Sequence, residues 1–317
     1  MSEIISDVTI VCIFRLIIKI QKDSMKKILS LLTLVIAISV GAQTKANRFF
    51  YELTFKPKTD STKIDKVITI LDIVDDKSIY QDYTMVSQDS ILKENIEEMM
   101  KTKTFKDISS IVRMPKFSFK VYKKYPDMNV QYIDRISTGL FGYEESPKFN
   151  WQISEEKQKI GDYTGQKATT TFGGREWTAW FSLDIPFPDG PYKFNGLPGI
   201  IVKIEDKDKE YSWVLSGNKT IEDWKEFSYG EEINAKMGMM KNDIKIISKD
   251  KFDKAFASYK QDPFAEVRSH IPPNAMSMKM PGSDMTIGDM LKRQEKVLKD
   301  FFNSVNNPIE RTTTSKK

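Results

Sequence analysis

The chain contains one histidine, His270, and this limits the catalytic chemistry that its residues could perform. A Ser-His-Asp triad would have to use His270 as its base, and no nucleophile-elbow motif occurs in the sequence. Zinc sites that need two histidines are excluded, and we interpret His270 as an ordinary exposed or capping residue. Paired carboxylates can hydrolyse glycosides without histidine. A carboxylate-dependent hydrolase is therefore one alternative function, and its candidate acids are Glu176, Asp184 and Asp189.

Aromatic side chains are concentrated between positions 177 and 194, where a ligand could stack on them. On a strand, Trp177 and Phe181 share one face and Trp180 lies on the other. One face is therefore expected to belong to the core, and the other could contact a sugar ring or a peptide side chain. The candidate binding residues are Arg175, Trp177, Trp180, Asp184 and Tyr192.

Methionine is the second unusual feature, because eight of the 15 methionines lie between positions 237 and 290. Met276, Met278 and Met280 alternate with other residues, and on an extended segment their thioethers would point to one side. Soft thioethers select Cu(I), so a periplasmic Cu(I)-binding protein is the other alternative function. Methionine also fills irregular gaps in protein cores, and this is the interpretation that we favour. We therefore expect neither a metal nor a cofactor.

The segment GPYKFNGLPGIIVKIED, residues 190–206, predicts a turn that leads directly into a strand. Within it, Pro198 presets the φ of the second position of a type II turn, and Gly199 supplies the positive φ of the third. We interpret the segment as a corner that positions a core strand, with a rigid binding loop as the competing interpretation. The structural motif comprises Gly190, Pro191, Gly196, Leu197, Pro198 and Gly199.

Residues 25–42 have the three parts of a secretory signal peptide. Two lysines begin the segment, an apolar stretch follows, and the small residues Val40-Gly41-Ala42 form a cleavage site before Gln43. The apolar stretch is too short for a membrane span. We therefore expect a periplasmic or secreted protein whose mature chain has no membrane span.

The segment before the signal peptide, residues 1–24, fits neither a signal nor a span, and we interpret it as an upstream start that was assigned too early. It contains the only cysteine, Cys12, so the mature chain is expected to have no disulfide and no lipid-anchored cysteine. Residues 1–42 carry five basic and three acidic residues, so the remaining chain has a formal charge of +3 rather than +5. Its basic residues are interspersed with acids, which argues against nucleic acid as a partner.

Short strand-like runs at regular spacing predict an α+β, β-rich fold with a curved antiparallel sheet or partial barrel and a few packing helices. One domain is expected over residues 43–305, followed by a polar C-terminal tail over 306–317. Hairpins are predicted within residues 67–84, 117–136 and 167–183, and further strands at 49–55, 149–153, 200–205, 211–215 and 244–248. Helical periodicity covers residues 89–100, 252–259 and 287–305, the last with Thr286 as N-cap.

Several of these segments resemble the GLPGLI family, whose members are secreted proteins of Bacteroidota without an established biochemical activity. The resemblance rests on residues 165–181, on the central block 185–201 and on Asn306-Asn307-Pro308-Ile309-Glu310. Ile200 replaces a leucine that is more frequent in the family, and Gly165 stands where many members have cysteine. The resemblance implies an exported, β-rich protein of a Gram-negative bacterium and does not imply a mechanism.

We favour binding or scaffolding in the cell envelope over catalysis. The partner could be a peptide, a glycan or an outer-membrane protein, and the sequence does not choose among them.

Overall fold

The computed structural model describes residues 44–108, 111–238 and 241–311. The signal peptide and the upstream segment predicted over residues 1–42 lie outside this range. The chain from Lys45 onward forms one compact unit. No helix in the described ranges is both long enough and apolar enough to cross a membrane.

The described residues form one open sheet of twelve strands, with six α-helices and one 3₁₀ helix around it. The order across the sheet is β12-β6-β5-β4-β3-β2-β1-β11-β10-β9-β8-β7, so β12 and β7 are its edges. Neighbouring strands are antiparallel except β12, which runs parallel to β6. The strands are β1 Ala46–Phe55, β2 Asp65–Val74, β3 Lys77–Asp82, β4 Lys120–Lys124, β5 Asn129–Ile136, β6 Gly139–Glu145, β7 Gln152–Ile160, β8 Tyr163–Phe172, β9 Arg175–Ser182, β10 Ile200–Asp206, β11 Tyr211–Ile221 and β12 Ile244–Ile246.

The helices lie between β3 and β4 and in the C-terminal third of the chain. Thr286 begins the longest helix as predicted, because its side chain accepts a hydrogen bond from the backbone N–H of Asp289 at 3.1 Å. The helices are α1 Thr84–Ser87, α2 Asp89–Thr102, α3 Tyr229–Lys236, α4 Lys249–Gln261, α5 Ala265–His270 and α6 Ile287–Ser304, and the 3₁₀ helix covers Pro273–Ser277.

The predicted α+β, β-rich class is confirmed, and the three predicted hairpins correspond to β2–β3, β4–β5 and β8–β9. Strand β6 was missed because glycine has a low strand propensity and its sequence contains two. At Gly142 the partner strand leaves no room for a side chain, since a Cβ there would lie 2.7 Å from the carbonyl oxygen of Tyr132. The strand expected at 149–153 begins instead at Gln152, and eight of its nine residues are exposed.

The main core lies on one face of the sheet and is rich in aromatic side chains. Alternate residues of β1, including Tyr51, Leu53 and Phe55, are fully buried in it. Trp213 on β11 donates its indole N–H to the hydroxyl of Tyr80 on β3 at 2.8 Å, so the polar ends of these buried rings are satisfied. A second cluster, formed by Ile79, Tyr122, Ile133 and Leu140, packs under Trp224 and Phe227.

Candidate functional site

The segment between β9 and β10, residues 183–199, lies over the main core, and we call it the proline loop. Residues 189–195 within it are all buried. Its backbone is folded by its own hydrogen bonds, including those from the N–H of Gly196 to the carbonyl of Pro188 at 3.0 Å and from the N–H of Ile201 to that of Asp189 at 2.9 Å. The loop is therefore a packed part of the domain.

A buried ion pair anchors the middle of the proline loop. Asp189 forms an ion pair with Lys123 of β4, and neither side chain is exposed. The hydroxyls of Ser78 and Tyr125 both donate to Asp189 Oδ2 at 2.6 Å. Lys123 Nζ also donates to the carbonyl of Gly190 at 2.6 Å. Burial lowers the pKa of Lys123, and Asp189 offsets part of this effect by stabilising the ammonium.

A second buried lysine anchors the loop four residues further on. Lys193 contacts the carboxylates of Glu145, at the end of β6, and Glu310, near the C-terminus. The Tyr192 hydroxyl donates to Glu310 Oε1 at 2.5 Å. Burial alone would raise the pKa of Glu310, but the Lys193 ammonium and the Tyr192 hydroxyl hold that pKa below its usual value. The proline loop is thus tied to β4, to β6 and to the C-terminal segment.

Arg175, at the start of β9, is the residue around which the C-terminal segment packs. Its five N–H groups all donate: Nε to Ile309 O at 2.9 Å, Nη1 to Asp206 and Glu210, and Nη2 to Asn307 Oδ1 and Pro308 O. The described part of the predicted polar tail, residues 306–311, therefore packs against the domain. Residues 312–317 lie outside the described range.

The type II turn predicted at Gly199 is wrong in its physical basis. Gly199 is not among the residues with positive φ, whereas Gly196 has φ +87. What requires glycine at position 199 is a close approach of two backbones, since a Cβ there would lie 1.9 Å from the carbonyl oxygen of Ser182. The sequence correctly indicated that the backbone requires glycine at position 199. The reason is the close packing of two backbones rather than the geometry of a turn.

The five candidate binding residues are not brought together on an open surface. Arg175, Trp177, Trp180 and Tyr192 are each at most 5% exposed. Trp177 packs edge-on against Phe194 with ring centroids 4.8 Å apart, and its indole N–H donates to the carbonyl of Phe172. Asp184 is exposed and accepts a hydrogen bond from Ser182.

The acids of the hydrolase alternative are used in other ways. Asp189 is fully buried in its ion pair, so a substrate has no access to its carboxylate. Glu176 is exposed and pairs with Lys207 at 2.9 Å. These contacts give the hydrolase alternative no support.

The geometry assumed for the Cu(I) alternative is wrong. Met276 lies inside the 3₁₀ helix Pro273–Ser277, so Met276, Met278 and Met280 do not share one extended segment. In the described ranges, no three His, Cys, Asp or Glu side chains are grouped to hold a metal ion. His270 ends α5, where its Nδ1 lies 2.8 Å from the carbonyl oxygen of Glu266.

The outer side of the proline loop presents a short apolar surface, which we call the proline ridge and which sequence reasoning missed. It consists of Leu183, Ile185, Pro186, Phe187 and Pro188. Leu183 is 61% exposed, the two prolines are exposed, and the other two residues are half-buried. Two backbone hydrogen bonds, from Phe187 N to Ile185 O and from Ile200 N to Ile185 O, hold the ridge in one conformation. The sequence signals for it were the prolines at 186 and 188 and a leucine directly after a core strand.

The site therefore lies in a β-rich α+β domain and consists of a loop fixed by buried ions that carries an exposed apolar ridge. The family model Porph_ging, described as a protein of unknown function, matches residues 174–203. That range contains all of β9, the whole proline loop and the start of β10. No curated protein matches the chain.

Solved structures include two of PNGF-II that are similar to the chain over part of its length. The sequence identities are 13% and 14%, and the TM-scores are 0.43 and 0.44. Each comparison covers 68% of this chain and 34% or 33% of PNGF-II, so the chain spans about one third of that protein. At these values the likeness carries no conclusion about activity.

Proposed function

We propose that this chain is an exported binding or scaffolding protein of the cell envelope, and that it contacts a protein partner through the proline ridge. The observation that carries the proposal is the pairing of an exposed apolar ridge with a fully buried support. Leu183 is 61% exposed, while Lys123 and Asp189 beneath the same loop are completely buried. Exposed apolar residues next to each other in space are typical of protein interaction sites.

Rigidity favours binding, because a surface that is already ordered loses little conformational entropy when a partner docks. The prolines restrict φ, and the backbone hydrogen bonds of the loop restrict the residues between them. The two lysine anchors leave the loop no freedom to move away from the sheet without breaking buried ion pairs.

The chemistry of the ridge favours a protein over a glycan. Sugar rings are held by exposed aromatic faces with polar groups beside them, and the aromatic candidates Trp177, Trp180 and Tyr192 are buried. The ridge offers aliphatic and prolyl side chains, which match an apolar patch or an extended peptide. Phe187 contributes only one edge, since it packs against Phe49 with centroids 6.0 Å apart.

Export is supported by the signal-peptide pattern of residues 25–42. The resemblance to the GLPGLI family points to the same compartment, and the Porph_ging match covers the GLPG segment on which that resemblance rests. We propose a periplasmic or surface location on these grounds.

The test compares two substitutions of exposed apolar residues. Leu183→Asp changes the ridge, and Ile153→Asp changes an isoleucine on β7 that is 50% exposed, against 61% for Leu183. We expect partners cross-linked in intact envelopes to the wild type and to Ile153→Asp to be lost from Leu183→Asp, with similar thermal melts for all three proteins. Equal recovery of partners by both variants would show that the ridge is not the binding surface.

A further inference from the structure

The side chain of Lys193 has surroundings that no other described lysine has. Its amine is completely buried and lies 5.2 to 5.3 Å from the ring centroids of Tyr132, Tyr143 and Tyr192. It contacts two carboxylates at once, those of Glu145 and Glu310, and lies 3.2 Å from the hydroxyl of Tyr143. A buried primary amine, surrounded by three aromatic rings, is thereby held against two carboxyl groups whose side chains are about a quarter exposed.

We propose that Lys193 and Glu145 form an intramolecular isopeptide bond, with Glu310 relaying the protons. This inference goes beyond the proposed binding function and does not depend on it. The bond would join the proline loop to the end of β6.

Amide formation needs a neutral amine, an uncharged carboxyl group and a route for protons between them. With two carboxylates at the amine, one can accept the proton of the ammonium while the other is attacked. The same two groups can then return a proton to the oxygen that leaves.

The contacts assign the roles of the two glutamates. Glu310 contacts both the Lys193 ammonium and the Tyr192 hydroxyl, so it lies between two groups with which it can exchange protons. Glu145 Oε1 is buried, and no described hydroxyl or N–H donates to it by hydrogen-bond geometry, although the Lys193 amine meets it as an ion pair. Among the described contacts its side chain is held by the Lys193 amine alone, so we assign Glu145 as the carboxyl that is attacked.

The atoms balance without any further reactant. Glu310 takes a proton from the Lys193 ammonium and passes it to Glu145, and the neutral amine attacks Cδ of the uncharged Glu145 carboxyl to form a tetrahedral intermediate. Glu310 then takes a second proton from the attacking nitrogen and gives it to the hydroxyl oxygen of the intermediate, whose C–O bond breaks. That oxygen leaves as water with two of the three ammonium protons, and the third stays on the amide nitrogen. The positive and negative charges of the ion pair are both consumed.

A covalent link of this kind would serve a chain that cannot form disulfides. The sequence has no cysteine after Cys12, so no thiol is available to cross-link the described domain. Cross-links stabilise a fold by restricting the unfolded chain. An amide would do so whatever the redox state of the compartment.

The chain supplies its own control in the pair Lys123–Asp189. That pair is completely buried, and its carboxylate is surrounded by the hydroxyls of Ser78 and Tyr125 and by no second described carboxylate. Without a proton relay, this pair is expected to remain an ion pair.

Intact-mass spectrometry tests the proposal. The protein is purified in its folded state and denatured only when it is injected. We expect a mass lower than the sequence value by one water, and peptide mapping that finds Lys193 joined to Glu145. Lys193→Arg should restore the full mass, Glu310→Gln should reduce the cross-linked fraction, and Lys123→Arg should leave the deficit unchanged. A wild-type mass without the deficit overturns the proposal even if no variant folds, and so does a deficit that maps to Glu310 or to Lys123 and Asp189.

Discussion

At the scale of single residues, two buried lysines determine how the proline loop sits on the sheet. A charge without a partner in a protein interior costs several kcal/mol, so Lys123 and Lys193 are stable only where carboxylates and carbonyls meet them. Both take those partners from segments distant in sequence, and Lys123 also donates to the loop carbonyls of Gly190 and Tyr192. The position of the proline loop on the sheet is consequently set by where these two ammonium groups meet carboxylate and carbonyl partners.

The glycines of the loop provide the first prediction. Gly199→Ala should cost about 3 kcal/mol or more of unfolding free energy, because its Cβ would overlap the backbone oxygen of Ser182, which cannot move without displacing β9. Gly190→Ala should cost less, about 1–2 kcal/mol, because its Cβ would lie 2.6 Å from Cδ1 and 2.9 Å from Cβ of Ile201, a milder overlap than the one at position 199. Denaturant unfolding measures both. Equal losses would contradict the packing that we assign to Gly199.

The second prediction concerns Asp134 on β5, whose pKa burial raises to about 7. Hydrogen bonds from the Arg135 N–H and the Ser118 hydroxyl, and the charges of Arg135 and Lys260, lower that pKa only in part. The folded state thus binds a proton more tightly than the unfolded state, and stability falls as the pH rises from about 4 to about 7.

The variant Asp134→Asn carries no titrating group at this position, so it should lose less stability than the wild type between pH 5 and pH 8. Over this window the difference can reach about 3 kcal/mol, because about two of the three pKa units of the shift fall within it at 1.4 kcal/mol per unit. Chemical denaturation at a series of pH values measures it, with Asp208→Asn as an exposed control. Parallel pH profiles for wild type and Asp134→Asn would rule out a raised pKa.

At the scale of elements, the C-terminal segment behaves as part of the sheet although it has no regular structure. Residues 306–311 lie where β9, β10 and β11 present charged side chains, and the guanidinium of Arg175 joins them. Hydrogen bonds from Arg175, Arg311 and Asn307 bring the pKa of Glu210 to about 2, against a burial effect that would raise it. The segment therefore supplies hydrogen-bond partners in fixed positions to these charged side chains, and the strands do not supply those partners themselves.

The third prediction compares two adjacent asparagines of this segment. Asn307 is completely buried and bonds through its side chain to Arg175, Lys56 and Glu210, so Asn307→Ala should cost about 3 kcal/mol from three lost hydrogen bonds. Asn306 is exposed and accepts one bond, from Thr59 N at 3.2 Å, so Asn306→Ala should cost about 1 kcal/mol or less. Thermal melts of both variants provide the comparison, and a result in the reverse order would show that the segment is not packed as described.

At the scale of the whole molecule, one open sheet leaves two edges that other chains could pair with. The edge strand β7 exposes four charged side chains, Glu155, Glu156, Lys157 and Lys159, and its register with β8 is interrupted between Ile153 and Lys157. The other edge, β12, is only three residues long. Charge, irregularity and shortness each discourage edge-to-edge pairing, so the proline ridge is the more suitable surface for a partner.

The fourth prediction follows from the proposed export. The mature protein should begin at Gln43, since the signal-peptide pattern ends at Ala42. N-terminal mass spectrometry of protein isolated from the native envelope provides the measurement, and material retained in the cytoplasm after a Leu32→Arg change in the apolar stretch serves as the control. A mature chain that still carries Lys26 and Lys27 would contradict cleavage at this site.

Local patterns in the sequence were sufficient for much of the fold. The hairpins at Asp75-Asp76 and Gly173-Gly174 and the helix that begins after Thr286 were all predicted, because turn residues, alternation and capping act over a few neighbouring positions. Strand β6 was not predicted, because glycine in it allows a close approach to the neighbouring strand, and local sequence does not reveal that approach.

The candidate site, in contrast, was decided by tertiary structure. The sequence by itself determined that the region around residues 177–199 would be aromatic, rigid and rich in proline. It did not determine that Lys123 would meet Asp189, that Lys193 would meet Glu145 and Glu310, or that the tryptophans would face the core while Leu183 faced solvent. The physical reason is that the pairing of buried charges depends on which distant segments the sheet brings together. Residue types and their spacing along the chain do not indicate which segments these are.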